Sequence, residues 1–112
     1  VILDTSAVIE RIRARKPVTE DITAVTLVEY PKIIYYRHFS GGVIFPVYED
    51  YIVAHRLQLA LIGLGKPQAF SDLLVAAVAI NRGEVLATRD SDFEVIGEAA
   101  RVLGLLLKVA TT

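Results

Sequence analysis

Short apolar runs rich in leucine and β-branched residues recur at Val1–Leu3, Ile22–Val25, Val43–Val47, Val85–Thr88 and Leu105–Val109. Each is bounded by polar or turn-forming residues and is too short for a helix, so each predicts a strand. Between them, apolar positions fall at helical spacing: Ala7, Val8, Ile9 and Ile12, then Leu27, Ile33 and Ile34, then Ile52, Val53, Leu57 and Leu61, then Leu73, Leu74, Ala77 and Ile80. Strands alternating with helices predict an α/β domain with a mostly parallel sheet, because parallel neighbours need crossovers and helices are the usual way to make them. Gly41-Gly42, Gly63, Gly65-Lys66-Pro67, Gly83 and Gly104 punctuate the same boundaries. The long interval from Val43 to Val85 has room for two helices, and the shorter one from Thr5 to Asp21 has room for one. Pro31 removes a backbone donor early in the second helix and predicts a bend there.

The chain has 112 residues, which predicts one domain over 1–112. At 54% hydrophobic and 22% charged residues, with a mean hydropathy of +0.49, it excludes disorder and predicts a sheet buried on both faces, with apolar surface left for a partner subunit. No apolar run reaches the ~18 residues of a bilayer span, since Leu73–Ile80 is closed by Asp72 and by Asn81-Arg82. Asp4 interrupts the opening apolar residues, so no secretory leader is read and the cytoplasm is expected. Without cysteine there are no disulfides, thiolate sites or cysteine nucleophiles. Twelve Lys and Arg against thirteen Asp and Glu, a formal charge of −1, exclude nucleic-acid binding by bulk charge and leave only local contacts.

The carboxylates carry the chemistry. Asp4 follows the first strand and precedes Thr5-Ser6, where it suits a helix N-cap. Asp90 has the same setting after the fourth strand, ahead of a Ser91/Glu94 capping box; Thr26-Leu27-Val28-Glu29 reads as another such box, and Asp72 complements a helix dipole ahead of Leu73. Each acid alone has a structural role. Together, all four fall where a strand ends or a helix begins, the face on which open α/β sheets bind ligands. Carboxylates gathered there raise one another's pKa unless a cation joins them, and an all-oxygen set without Cys or a His pair suits Mg²⁺ or Mn²⁺. Those ions serve phosphodiester hydrolysis.

Val1-Ile2-Leu3-Asp4-Thr5-Ser6, Val25-Thr26-Leu27-Val28-Glu29, Ser71-Asp72-Leu73-Leu74-Val75-Ala76-Ala77 and Leu86-Ala87-Thr88-Arg89-Asp90-Ser91-Asp92-Phe93 resemble, in order and spacing, the motifs of PIN domains. These are small nucleases that include the VapC toxins of prokaryotic toxin–antitoxin pairs. The resemblance spans nearly the whole chain and implies a three-layer α/β/α fold with a five-stranded parallel sheet of order 3-2-1-4-5. It implies Asp4, Glu29, Asp72 and Asp90 as the catalytic, metal-binding quartet, with Asp92 as an outer or second-metal ligand and Thr5, Ser6 and Thr88 orienting them. The implied reaction is metal-dependent attack of water on an RNA phosphodiester, leaving a 5′-phosphate and a 3′-hydroxyl, and the implied partner is an antitoxin. The first connection is shorter than the two-helix segment common in the toxins.

Arg89 beside Asp90, and Arg11 and Arg15 in a basic tract on or just after the first helix, are the candidate phosphate contacts. His38 and His55 lack a partner at ligand spacing and read as structural or surface residues. Tyr30, Tyr35, Tyr36, Tyr48 and Tyr51 suit a core or a homodimer interface better than base stacking. A phosphate receiver domain would need an aspartate after the third strand, and a haloacid-dehalogenase-type phosphatase would need Asp-x-Asp where Asp4-Thr5-Ser6 stands. The remaining alternatives are a PIN-like scaffold that binds RNA or protein without cutting, and a PIN nuclease of RNA processing.

Overall fold

Ile2 and Leu3 alternate across a strand, so they bury into different halves of the molecule, and the same holds for Leu86 and Ala87. A computed structural model describes residues 1–112. Its elements are β1 (Ile2–Leu3), α1 (Thr5–Arg13), β2 (Ile22–Thr23), α2 (Ala24–Glu29), a 3-10 turn (Pro31–Tyr35), β3 (Val43–Ile44), α3 (Tyr48–Gly63), α4 (Phe70–Arg82), β4 (Val85–Thr88), α5 (Asp92–Val102) and β5 (Lys108–Thr111). Ile2 and Leu86 join Leu57, Leu61, Val78, Phe93 and Ile96 in a core under α3, α4 and α5. Leu3 and Ala87 join Val8, Val18, Ile22 and Ile33 in a smaller core under α1 and the 3-10 turn. Helices thus cover both faces of the parallel strands. No helix is long and apolar enough to cross a membrane.

The strands do not form the single five-stranded sheet expected. β4 lies between β1 and β5, all parallel, with Leu3 opposite Ala87 and Thr88 opposite Thr111. β2 and β3 form a separate parallel pair, Ile22 opposite Val43. Only a one-residue bridge, Ile2 to Asp21, links the two groups, through Leu3 N–H to Asp21 O at 2.9 Å and Asp21 N–H to Val1 O at 3.3 Å. β1 and β2 are two residues each, and Asp4 and Ala24 turn both into helices before a longer ladder can form.

Several boundaries also move. β2 stops at Thr23 because α2 begins at Ala24, β3 stops ahead of Pro46, which has no N–H to donate, and β5 starts three residues later than Leu105. Gly104, at φ 73°, turns the chain after α5 first, and Leu105 N–H still bonds back to Ala100 O. The predicted second helix is cut in two: Tyr30, ahead of Pro31, takes an extended φ of −135°, so α2 ends at Glu29. The Thr26/Glu29 capping box therefore does not exist, since both residues lie inside α2. The Ser91/Glu94 box is also absent, and Glu94 N–H bonds to the Ser91 main-chain oxygen. The segment that follows, which no helical spacing had marked, forms α5, with Phe93, Ile96, Ala99 and Ala100 buried on one face. Gly41 is required because a Cβ would lie 1.8 Å from Glu20 O.

Two polar ties fix the helices. Buried Asp50 accepts Val47 N–H and Asn81 Nδ2, both at 2.8 Å, joining the start of α3 to the end of α4. Arg11 grips Glu20 with two bonds, Nη2 to Oε2 at 2.6 Å and Nη1 to Oε1 at 3.0 Å, and also donates to Pro17 O. The Arg11 hydrogen bond holds the Glu20 carboxyl down at about 2. A lowered carboxylate stabilises the folded state above its unfolded value and loses that contribution as pH falls from about 4.5 to about 2. Arg11→Ala is expected to cost about 1 kcal/mol at neutral pH and to remove this acid limb, as read by urea melts at pH 7 and pH 3.

Candidate active site

Asp4 leaves β1 with its N–H bonded to Ala87 O at 3.1 Å, which brings it beside the end of β4. Asp4 is 6% exposed, and its carboxylate accepts three bonds. Ala7 N–H (3.0 Å) and Ser6 Oγ (2.7 Å) donate to Oδ1, and Thr88 Oγ1 (2.8 Å) donates to Oδ2. The expected N-cap is thus real, and the same side chain faces the site. Thr88 Oγ1 in turn accepts Asp90 N–H at 2.9 Å, and Ser6 Oγ accepts Arg89 N–H at 3.1 Å, so Ser6 and Thr88 clamp the loop after β4 against α1. Asp90 Oδ1 accepts Asp92 N–H at 2.9 Å, a turn that sets Asp92 as the first residue of α5.

Glu29 enters from the end of α2, not from a helix start. Thr5 Oγ1 donates to its Oε1 at 2.6 Å, and Thr5 and buried Thr26 share a hydroxyl contact at 2.9 Å. Asp72 enters from the first turn of α4. Asp4, Thr5, Ser6, Glu29, Asp72 and Asp90 line one cleft of about 290 Å³. At its edge, exposed Asp92 joins Asp72 and Asp90 of the lining, and each of the three offers a carboxylate oxygen, all within 4.8 Å of one another. Asp92, which the motif resemblance implies as an outer or second-metal ligand, belongs to this tightest group. Burial, and then the charges of Asp90, Asp92, Glu29 and Asp4, push the Asp72 carboxyl up to about 6. Such a set fits a hard divalent cation by donor chemistry, since it is all oxygen and its own repulsion asks for positive charge.

The basic candidates are placed differently. Arg89 is exposed next to Asp90, and its Nη1 pairs with Glu10 Oε1 at 2.8 Å. Arg11 is committed to Glu20, roughly 10 Å along α1 from Asp4 by helical rise. Arg15 lies past the end of α1 with φ 55° and is exposed. Neither histidine reaches the cleft: His38 packs edge-on against Tyr36, and His55 is exposed on α3. Tyr30 and Tyr36 pack against the smaller core, whereas Tyr35, Tyr48 and Tyr51 face solvent.

No family model matches the chain, and no curated protein matches it. Solved structures do. A chain of VapBC2 from Rickettsia felis, bound to a DNA fragment from its promoter, superposes with a TM-score of 0.72 at 16% identity, over 99% of this chain and 98% of that one. DNA-bound VapBC from Salmonella typhimurium gives 0.72 at 19% identity, over 98% and 96%. VapBC-5 from Mycobacterium tuberculosis, a member of the VapBC family of toxin–antitoxin systems, gives 0.67 at 23% identity, over 98% and 94%. From end to end, the chain has the fold of chains found in VapBC toxin–antitoxin complexes, the architecture that its four acidic motifs resemble.

Proposed function

We propose that residues 1–112 form one PIN domain acting as a metal-dependent endoribonuclease, the toxin of a VapBC-type pair. The observation that carries this reading is the convergence of Asp72, Asp90 and Asp92 within 4.8 Å, beside a cleft lined by Asp4, Glu29, Asp72 and Asp90, on a fold shared with VapBC chains. Asp4, Glu29, Asp72, Asp90 and Asp92 would hold Mg²⁺ or Mn²⁺. When bound, the ion supplies positive charge that stabilises a reacting phosphodiester and makes water more acidic. Thr5 fixes Glu29, while Ser6 and Thr88 fix Asp4, so that the carboxylates are oriented before substrate arrives. Arg89, once released from Glu10, would meet a phosphate, and Arg15 would supply a more distant contact. Single-stranded RNA incubated with Mn²⁺ or Mg²⁺ should be cut to fragments with 5′-phosphate and 3′-hydroxyl ends, and EDTA should stop the reaction. Intact RNA with both ions would overturn the enzymatic reading.

The partners follow from exposed apolar surface and from the matched complexes. Tyr48, Ile52, His55, Leu59 and Ile62 recur at alternating steps of four and three along α3 and are all exposed, a seam suited to a second helix. We assign it to a cytoplasmic homodimer, with an antitoxin as the further partner. Light scattering at micromolar concentration should give twice the 12.3 kDa chain mass, and a monomer mass would refute the dimer.

A further inference from the structure

Phe70 and Asp72 share the first turn of α4 but open onto different surfaces. Asp72 faces the acidic cleft, while Phe70 faces an apolar groove of about 350 Å³ whose walls include Val28, Glu29, Pro46, Tyr51 and Leu74. Glu29 lines both depressions, so they adjoin at its side chain. Phe70 is 65% exposed and Tyr51 47%, with ring centroids 6.3 Å apart and planes inclined at 36°. Both rings also wall a second depression of about 260 Å³ that reaches His55 and Gln58 on α3. The acidic cleft and the groove therefore meet at Glu29, and Phe70 and Tyr51 wall the groove where it borders the α3 seam assigned above to the homodimer. Exposed aromatic rings gain little from the core here, and a π-face open to solvent beside a phosphodiester site suits a nucleobase.

We propose that Phe70 and Tyr51 form a stacking platform for an unpaired base of the RNA strand whose phosphodiester occupies the acidic cleft. The inference rests on the ribonuclease reading above and adds to it a subsite for one base flanking the cut. The groove lining contains no Lys or Arg, so it takes the base face and leaves the backbone phosphates to solvent and to the cleft. Stacking of this kind tolerates any base and excludes a duplex, in which the base is already stacked within the helix. A protein side chain is the other candidate occupant; continuity with the cleft through Glu29 favours the nucleotide.

The test uses the full chain and a short single-stranded RNA whose cut site has been mapped from its product ends. Phe70→Ala should raise KM by roughly tenfold, well beyond its effect on kcat, and Phe70→Trp should restore it. An RNA made abasic at the nucleotide flanking the cut should cost the wild-type protein a similar factor and Phe70→Ala nothing further. Unchanged KM in Phe70→Ala, or equal abasic penalties in both proteins, would overturn the platform while leaving the nuclease intact. Loss of a partner protein with RNA kinetics unchanged would assign the groove to that protein and overturn it too. A wild-type chain that neither binds nor cuts RNA would overturn this inference together with the function it rests on.

Discussion

Asp90→Asn should lower metal-dependent RNA cleavage by at least about a hundredfold while leaving the protein folded, because losing a ligand removes several kcal/mol of transition-state stabilisation and each ~1.4 kcal/mol is a factor of ten. Asparagine keeps an oxygen to accept the Asp92 N–H, so the turn into α5 survives. Asp4→Asn should be as damaging to activity and slightly worse for stability. Its Oδ1 faces two donors, Ala7 N–H and Ser6 Oγ, and its Oδ2 faces the Thr88 hydroxyl. The amide must turn its NH₂ towards Thr88, whose hydroxyl then has to accept rather than donate, at a cost of about 1 kcal/mol. Cleavage assays paired with thermal melts separate the two effects. Undiminished cleavage by folded Asp90→Asn would remove the acidic cleft from the mechanism.

Metal and pH should change stability through the same carboxylates. The Asp72 carboxyl stands at about 6 in the folded chain, against about 3.9 for a free aspartate. Between those values the folded state holds more protons than the unfolded one, so the metal-free protein should gain stability as pH falls from 7 towards 4.5. The penalty is fully present above about pH 6. Since Asp72 stays half-buried and solvent screens its neighbours, the gain is roughly 1 kcal/mol, a few degrees in Tm. Below that window the Arg11–Glu20 pair, with Glu20 at about 2, acts in the opposite sense. Saturating Mn²⁺, binding only the folded form, should add about 2.7 kcal/mol when free metal is 100 times its Kd, and should abolish the gain on acidification. Asp72→Asn should raise the Tm of the metal-free protein at pH 7 and blunt the response to Mn²⁺. Equal melting temperatures with and without Mn²⁺ between pH 5.5 and 8 would exclude a preformed metal site.

Local chemistry was legible in the residues themselves. Run length and spacing separated strands from helices, short apolar runs marking the former and apolar positions every 3.6 residues the latter. The alternation of strands and helices as far as β4 followed, as did the two helices after β3 and the place of Asp4, whose cap bond comes from Ala7 three residues on; α5 and the break at Pro31 did not. Asp90 and Thr88 were also legible, since the strand end that carries them is a run of four apolar or β-branched residues.

Packing decided the rest. Glu29 reaches the cleft from the end of α2 because Pro31 stops that helix and Thr5, twenty-four residues away in sequence, holds its carboxylate. Asp92 joins Asp72 and Asp90 only because α4 and α5 lie against the same core. Arg11, near Asp4 in sequence, is drawn to Glu20 at the far end of α1, because a helix carries neighbours in sequence apart by 1.5 Å per residue. The single sheet became a three-stranded and a two-stranded one because β1 and β2 turn into helices after two residues. Periodicity and capping act over a few residues, whereas distances between carboxylates on different elements follow from how helices settle on two faces of a sheet, which no short stretch of sequence specifies.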